Sequence, residues 1–485
     1  MNANQILEDI ARTAMLARGL APDFTVPVMK QLDRMDKPAT TNLSDLKDAR
    51  ELLWCSIDND DSKDLDQLTA AKKVNENEFI IYIAVADVDA LVHKETPIDQ
   101  HAQINTTSIY TPAKIFPMLP EKLSTNLTSL NEREDRVAVI FEIHLNSAAD
   151  VLSTDIYHAT VYNYAQLAYS SVGAWLEGRG NIPDKLDKNK ELAENIKLQN
   201  TLAQAIKKKR RRDGALTLET IEVKPILSDG VVSRLDQTEH NVAHELIENF
   251  MIAANSASAK YTLAHRIPGL RRVVKVPERW DRIVMLAKEK GEFLPDVPDS
   301  KALDDLLIKL KAKDPATFPD VSLTVIKLLG SGEYTVEIPG DQPQGHFGLA
   351  LRDYTHSTAP NRRFPDLITQ RLLKDSLRGQ SLPYTIAQLQ KIAENCTEKE
   401  DLAQKVERQV KKSAEAMMLS SHINEVFPAI VTGASAKGTW VRVQNPPVEG
   451  KLVLGVKGLD VGDRLSVRLV SVDVARGFID FVREK

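Results

Sequence analysis

The chain has few of the residues that mark secreted or membrane proteins. Only two of its 485 residues are cysteines, Cys55 and Cys396, and neither has the neighbours of a metal site. A disulfide framework is therefore not expected, and a reducing cytoplasm is the natural setting. No run approaches the ~20 apolar residues that a membrane-spanning helix needs. The first residues predict an amphipathic helix without the apolar centre of a secretory signal, so we expect no membrane association.

The chain also lacks an excess of positive charge. It has 63 Lys and Arg residues against 68 Asp and Glu residues, which gives a formal net charge of −5. A protein that coats itself with nucleic acid is basic overall. If this chain binds nucleic acid, we expect it to do so in a local basic groove on an otherwise acidic surface.

The pattern along the chain predicts three regions, as expected for about 150 residues per domain. Residues 1–48 read as two helical stretches joined by a turn. This head is either a small helix-turn-helix or winged-helix module or a helical cap on the next domain, and we favour the cap. Residues 49–424 mix strands and helices and predict one large α+β domain. Residues 425–485 read as a separate β domain.

Hydrophobic periodicity predicts the main elements of the large domain. Residues 52–57 and 79–86 predict buried strands, and the predicted long helices are 190–212, 240–266 and 385–423. Pro365 is suited to the first turn of a further helix that ends just before Gly379.

The tail contains five short β-rich runs separated by turn residues. These runs are 429–432, 439–443, 451–454, 464–472 and 477–482. Five strands in so short a segment predict a small closed barrel, and an OB-fold is the preferred barrel. A purely structural β module is the alternative.

The densest cluster of chemical groups is the acidic loop, residues 56–71, which follows the first predicted strand. Its aspartates are Asp58, Asp60, Asp61, Asp64 and Asp66. Carboxylates this close repel one another unless a cation lies among them. Oxygen ligands without His or Cys favour Mg²⁺, Mn²⁺ or Ca²⁺ over zinc.

The loop alone leaves three interpretations open. The first is a solvated acidic turn. The second is a Ca²⁺ loop of the EF-hand type, which is weakened because Lys63 stands where that loop needs Gly and Thr69 where it needs Glu. The third is a catalytic Mg²⁺ site, in which carboxylates hold one or two ions for phosphoryl chemistry.

The loop and the segments after it resemble the ribonuclease II (RNB) family of exoribonucleases. The family signature places aspartates at Asp58, Asp64 and Asp66, followed by a fourth aspartate where this chain has Gln67. The resemblance continues through residues 82–92, 108–130, 165–177, 244–255 and 355–373. It ends in a tail that resembles the S-one type of OB-fold RNA-binding domain.

This resemblance implies a monomeric hydrolytic 3′→5′ exoribonuclease that degrades single-stranded RNA to nucleoside 5′-monophosphates. It implies a Mg²⁺ site, with Mn²⁺ as a second candidate, whose ligands are Asp58, Asp64, Asp66 and Gln67. It gives Arg362 a catalytic contact with the scissile phosphate. The residues that it places near RNA are Tyr110, Tyr169, Glu248, Arg363, Glu407 and Trp440. For the two tyrosines, a place in the core is the alternative, and for Glu248 and Glu407 it is an ordinary charge on a helix surface.

Several departures from the family pattern bear on activity. Gln67 removes one anionic ligand, and Leu218 stands where members carry a base-stacking Phe. The family's Ser-Pro-Ile-Arg-Arg-Tyr reads Ala-Pro-Asn-Arg-Arg-Phe at 359–364. The rival interpretation is therefore a catalytically weakened or inactive RNA-binding relative. Six consecutive cations at 207–212 either complement a helix end or form a funnel for RNA.

Overall fold

A computed structural model describes residues 2–40, 46–220, 222–228, 231–238, 240–315, 317–342, 344–435 and 438–484. The α-helices are α1 Ala3–Leu16, α2 Val26–Leu32, α3 Pro97–Asn105, α4 Tyr169–Leu176, α5 Asp184–Asp187, α6 Lys190–Arg212, α7 Val242–Ala264, α8 Trp280–Glu289, α9 Ser300–Lys313, α10 Phe318–Leu329, α11 Phe364–Leu377 and α12 Ile386–Leu419. The strands are β1 Lys47–Asp48, β2 Cys55–Asp58, β3 Gln67–Lys73, β4 Glu78–Ala86, β5 Ile109–Tyr110, β6 Ile115–Phe116, β7 Asp135–Asn146, β8 Val151–Tyr162, β9 Ala165–Ala168, β10 Glu222–Ser228, β11 Val231–Thr238, β12 Gly269–Val273, β13 Glu333–Glu337, β14 Val426–Ser435, β15 Gly438–Val443, β16 Glu449–Leu454, β17 Arg464–Asp473 and β18 Phe478–Arg483.

A seven-stranded sheet in the order β1-β8-β7-β4-β3-β2-β9 forms the centre of the molecule. Successive side chains of a strand point to opposite faces. In β4, Ile80 and Tyr82 therefore pack on one face with α3 and α11. Ile81 and Ile83 pack on the other face with α6 and α7. Helices therefore cover both faces of this part of the sheet.

The long helix α12 connects the central sheet to the tail. Its residues Val406 and Val410 pack with Leu7 of α1 in one buried cluster. Farther along the helix, Ala416 and Leu419 belong to the core of a closed barrel in the order β14-β15-β16-β18-β17. The same helix thus contributes to the packing of the head and of the barrel.

The structure confirms the α+β fold class, the five-stranded barrel and the predicted long helices, which are α6, α7 and α12. The first predicted strand is shorter than expected. Leu52 lies in a turn, where its N–H donates to the Ala49 carbonyl, and β2 begins only at Cys55. None of the described helices is long and apolar enough to cross a membrane.

Helices α8, α9 and α10 form a small unit with a buried cluster of their own, which the sequence patterns above did not anticipate. Trp280, Ile283 and Ala287 are its buried positions in α8, at helical spacing. Leu218 packs against this cluster. Its side chain therefore has a packing role in the structure, whatever residue stands there in relatives.

Candidate active site

The ends of two neighbouring strands position the acidic loop. β2 ends at Asp58 and pairs with β9, and β3 begins at Gln67 and pairs with β4. Between them, the Leu65 N–H donates to Ser129 Oγ at 2.9 Å, and that hydroxyl donates to the Lys63 carbonyl at 2.9 Å. The loop is therefore held in place by the sheet at both ends and by Ser129 in its middle.

Asp66 is the most deeply buried carboxylate of the loop, with 1% of its surface exposed. Its Oδ1 accepts the Asn361 N–H at 3.1 Å, and its Oδ2 accepts the Arg362 Nε–H at 2.8 Å. Asn361 and Arg362 belong to the turn that leads into α11. This contact joins the two motifs of the sequence, which lie almost 300 residues apart.

Asp58 and Asp64 complete a cluster of negative charge around Arg362. Burial and the nearby Asp66 raise the pKa of Asp58 to about 7, although Arg362 opposes the shift. Burial raises the pKa of Asp66 to about 6, against the attraction of Arg362. The pKa of Asp64 is also raised, chiefly by burial. We call Asp58, Asp64, Asp66, Gln67 and Arg362 the acidic site.

The remaining acidic groups of the loop point elsewhere. Asp60 accepts a hydrogen bond from Ser170 Oγ at 3.0 Å, and Asp61 lies 3.5 Å from Lys224 Nζ on the exposed surface. Gln67 is buried and directs its Nε2 towards Asp58 Oδ1 at 3.5 Å. Gln67, which the family resemblance places in the fourth ligand position, therefore contacts Asp58 through its amide nitrogen.

The acidic site has the donor chemistry of a site for a hard divalent cation. Asp58 Oδ2 is buried and has no hydrogen-bond partner among the described residues. The donors are carboxylate and amide oxygens, which Mg²⁺ prefers. Within the described part of the chain, however, no three His, Cys, Asp or Glu side chains are already arranged to hold a metal ion. The residue types fit Mg²⁺, but in this structure Asp66 forms an ion pair with Arg362.

Two tyrosines border the acidic site. Tyr110 is 41% exposed, and its N–H donates to Glu407 Oε1 at 2.8 Å. Desolvation raises the pKa of its hydroxyl, and the proximity of Arg362 opposes that shift. Tyr169 stacks on His244 with ring centroids 4.0 Å apart and planes inclined by 15°. Burial and the charge of Asp58 raise the pKa of Tyr169.

Other predicted RNA contacts lie farther from the carboxylates. Arg363 turns to Asp366 at 2.7 Å, and Trp440 packs near Gly433 in its own barrel hairpin. Glu248 is 3.8 Å from Arg210 Nη1 and 3.8 Å from His240 Nε2. The structure records no contact between these three predicted residues and the carboxylates of the acidic site within its described ranges.

Three residues of this region were not predicted. Ser129 holds the loop, the backbone of Asn361 holds Asp66, and His244 covers one face of Tyr169. His244 lies in a segment that the family resemblance covers, and that was the only available signal for it. Of the six cations at 207–212, three form ion pairs with described residues: Lys207 with Glu245, Lys209 with Asp150 and Arg210 with Glu248.

Comparison with known families decides the classification. A family profile described as RNB domain matches residues 46–379. The chain belongs to the RNB family. A second profile, described as RNase II-type exonuclease C-terminal S1 domain, matches residues 425–484. The first match contains the whole acidic site of this RNB-family chain, and the second coincides with its barrel.

Relatives of this RNB-family chain share its fold at low sequence identity. Ribonuclease R of Escherichia coli is 28% identical over 473 residues, which cover 90% of this chain but only 57% of that protein. The structure of Mycoplasma genitalium RNase R in complex with ribose methylated single-stranded RNA has a TM-score of 0.88 and 24% identity, and the match covers 99% of this chain and 78% of that one. Yeast Ssd1, a pseudonuclease, has a TM-score of 0.66 and 18% identity, and the match covers 95% of this chain and 54% of that one.

Proposed function

We propose that this chain is an exoribonuclease that hydrolyses single-stranded RNA from the 3′ end and releases nucleoside 5′-monophosphates. The observation that carries the proposal is the meeting of three buried or half-buried carboxylates with Arg362 where the central strands end. The RNB domain supports it, since ribonucleases of this family are generally metal-dependent. Curated relatives named Ribonuclease R support it as well.

We propose Mg²⁺ as the cation, with Mn²⁺ as a substitute. Asp58, Asp64 and Asp66 would hold it, and the amide oxygen of Gln67 would be a weaker, uncharged fourth ligand. When bound, the ion polarises the scissile phosphate and activates the attacking water. Arg362 donates hydrogen bonds to the phosphate oxygens and stabilises the negative charge that develops on them.

Aromatic side chains seat the end of the RNA in this proposal. Tyr169 has one face against His244, so a base stacks on its other face. Glu407 accepts the Tyr110 N–H and so positions that ring beside the acidic site. Glu248 and Arg363 contact RNA farther from the carboxylates, and Trp440 contacts it from the barrel.

Three further predictions accompany this function. The division into a head of 1–48, a catalytic domain of 49–424 and an RNA-binding tail of 425–485 stays a prediction. So do the monomeric state and the cytoplasmic location. Sedimentation of the purified chain measures the oligomeric state, and fractionation of cells measures the location.

The test is degradation of 5′-labelled single-stranded RNA with Mg²⁺ or EDTA. We expect a ladder that shortens from the 3′ end and nucleoside 5′-monophosphates in the supernatant, both of which EDTA abolishes. A 3′-blocked RNA of the same sequence is the matched control and should persist. Internal fragments from both RNAs, or products with 3′-phosphates, would contradict the proposal.

A second candidate function is RNA binding without hydrolysis. Gln67 removes one charged ligand, and the described residues hold no ready-made set of three metal-binding side chains. A pseudonuclease is among the proteins of similar fold. In the same assay this candidate predicts RNA that is retained on the protein and stays at full length at every Mg²⁺ concentration.

A further inference from the structure

Asp66 and Arg362 form an ion pair in this structure. Asp66 Oδ2 accepts the Arg362 Nε–H at 2.8 Å, and its Oδ1 accepts the Asn361 N–H at 3.1 Å. Both carboxylate oxygens of the most buried ligand candidate are therefore hydrogen-bonded. Each oxygen keeps a further lone pair, but the charge of the guanidinium offsets that of the carboxylate and so weakens its attraction for a divalent cation.

The neighbouring carboxylate of Asp58, by contrast, has few hydrogen bonds. Asp58 Oδ2 is buried without a hydrogen-bond partner among the described residues, and Oδ1 has only the long 3.5 Å contact with Gln67 Nε2. Since Gln67 is neutral, it offers no charge to replace that of Asp66. A cation at Asp58 therefore needs Asp66 released.

We propose that Arg362 blocks the metal site until an RNA phosphate draws its guanidinium away from Asp66, so that RNA and the divalent cation bind cooperatively. This inference rests on the proposed function and adds that the binding of RNA and the binding of the divalent cation depend on each other. The metal ligand set would be completed only when a substrate phosphate is in place.

The surroundings of the two groups allow such an exchange. The Arg362 side chain is 40% exposed, whereas the Asp66 side chain is 1% exposed. The guanidinium can therefore turn to a phosphate on its solvent-exposed side while Asp66 remains in place, held by the Asn361 N–H. Arginine binds phosphate with two parallel hydrogen bonds. The phosphate would therefore replace Asp66 as the anionic partner of the guanidinium.

Thermodynamic linkage makes the proposal measurable. If RNA strengthens metal binding by some factor, the metal strengthens RNA binding by the same factor. Attraction between a cation and a phosphate also produces cooperativity by itself. The distinguishing consequence is that Arg362 should weaken metal binding even when no RNA is present.

The experiment measures Mn²⁺ binding by electron paramagnetic resonance in the full chain and two variants. Arg362→Gln removes the ion pair with Asp66. Arg363→Gln is the matched control, since it removes a positive charge from the adjacent residue but leaves the Asp66 pair intact. Each protein is titrated alone and with a ribose-methylated single-stranded RNA, which is checked for integrity on gels. Thermal unfolding verifies that both variants are folded.

Without RNA, we expect Arg362→Gln to tighten Mn²⁺ binding about fivefold or more and Arg363→Gln to change it less than about twofold. RNA should tighten Mn²⁺ binding to the wild type about tenfold and to Arg362→Gln much less. Equal shifts in the two variants without RNA, or none in Arg362→Gln, would overturn the inference. This RNA-free arm is independent of hydrolysis, whereas failure of the wild type to release nucleotides would sink the proposed function alone.

Discussion

Two groups of charged side chains beside the central sheet differ in how their charges are balanced. One is the acidic site. The other, which we call the buried charge cluster, consists of Asp87, Asp89, Asp99, Arg371 and Lys374. In the cluster, Lys374 Nζ lies 2.7 Å from Asp87 and 2.8 Å from Asp89, and Arg371 lies 2.9 Å from Asp89 and 2.8 Å from Asp99.

The pKa of Asp89 shifts in the opposite direction to the pKa values of the three acidic-site carboxylates. Burial alone would raise the pKa of Asp89, but Lys374 and Arg371 lower it. In the acidic site, one Arg362 faces three carboxylates, and the pKa of Asp58 rises to about 7. The buried charge cluster has two cations for three carboxylates, whereas the acidic site has one cation for three. This larger excess of negative charge favours the binding of a cation in the acidic site.

The largest effect that separates the two groups should come from Asp66→Asn. This change keeps the shape of the side chain but removes the charge, and we expect kcat to fall about 10³-fold or more, because a metal ion supplies several kcal/mol to such reactions. RNA affinity should stay within about threefold, since most RNA contacts lie elsewhere. Asp60→Asn is the control, because Asp60 bonds to Ser170 outside the site. Monophosphate release at near wild-type rate from Asp66→Asn would remove Asp66 from the mechanism.

Lys374→Met should instead lower stability. It leaves Asp87 and Asp89 without that cation in a buried position, which costs about 3–5 kcal/mol of the free energy of unfolding. Urea unfolding measures this cost. Lys301→Met breaks an exposed pair with Asp305 and should change stability by less than about 0.5 kcal/mol. A similarly small change in the free energy of unfolding for both variants would mean that the buried charge cluster does not stabilise the fold.

Asp58→Asn should stabilise the metal-free protein. The pKa of Asp58 is about 7 in the folded state, against 3.8 for the free side chain. The folded state therefore holds this proton more tightly, and stability due to Asp58 is lost as the pH rises from about 4 to about 7. In EDTA at pH 8 the variant should gain about 1–3 kcal/mol, and at pH 4 it should match the wild type.

Asp89→Asn is the contrasting variant for that measurement. In the wild type, the pKa of Asp89 is lower in the folded state than in the unfolded state. The carboxylate therefore contributes stability above the unfolded pKa of about 4, and this stability is lost as the pH falls below that value. The variant should therefore be less stable than the wild type at pH 8. If both variants shift stability in the same direction at pH 8, the contrast between the two groups is wrong.

Gln67→Asp should produce the smallest of these effects. It adds one charged ligand to the acidic site, so the Mg²⁺ concentration for half-maximal rate should fall about threefold to tenfold. Gln67→Glu has the same charge on a longer side chain and is the control for position. An unchanged metal dependence for both variants would place Gln67 outside the metal site.

The sequence predicts best what depends on local pattern. Strand β4 and helices α6 and α7 follow from periodicity, and Asp58, Asp64 and Asp66 stand in one short motif. The hydrogen bond from the Asn361 backbone to Asp66 could not be predicted, because a backbone donor leaves no mark in the sequence. The stacking of Tyr169 on His244 likewise depends on the packing of α4 beside α7.

Burial, too, depends on long-range packing. Periodicity shows that Asp66 follows a strand, but its 1% exposure results from the turn before α11 folding over it. The unit formed by α8, α9 and α10 was missed for a different reason. Its buried cluster joins side chains from three separate helices, so the periodicity of one stretch does not predict it.

The shared helix α12 limits how the barrel can be exchanged between proteins. The helix has 34 residues and is therefore about 50 Å long. Ala416 and Leu419, in its last turns, are fully buried in the barrel core. A graft that begins at residue 425 would leave Phe427 and Val467 without these neighbours, and it should expose apolar surface and aggregate. Recombination within α12, upstream of Ala416, would transfer the fully buried residues of the barrel core together.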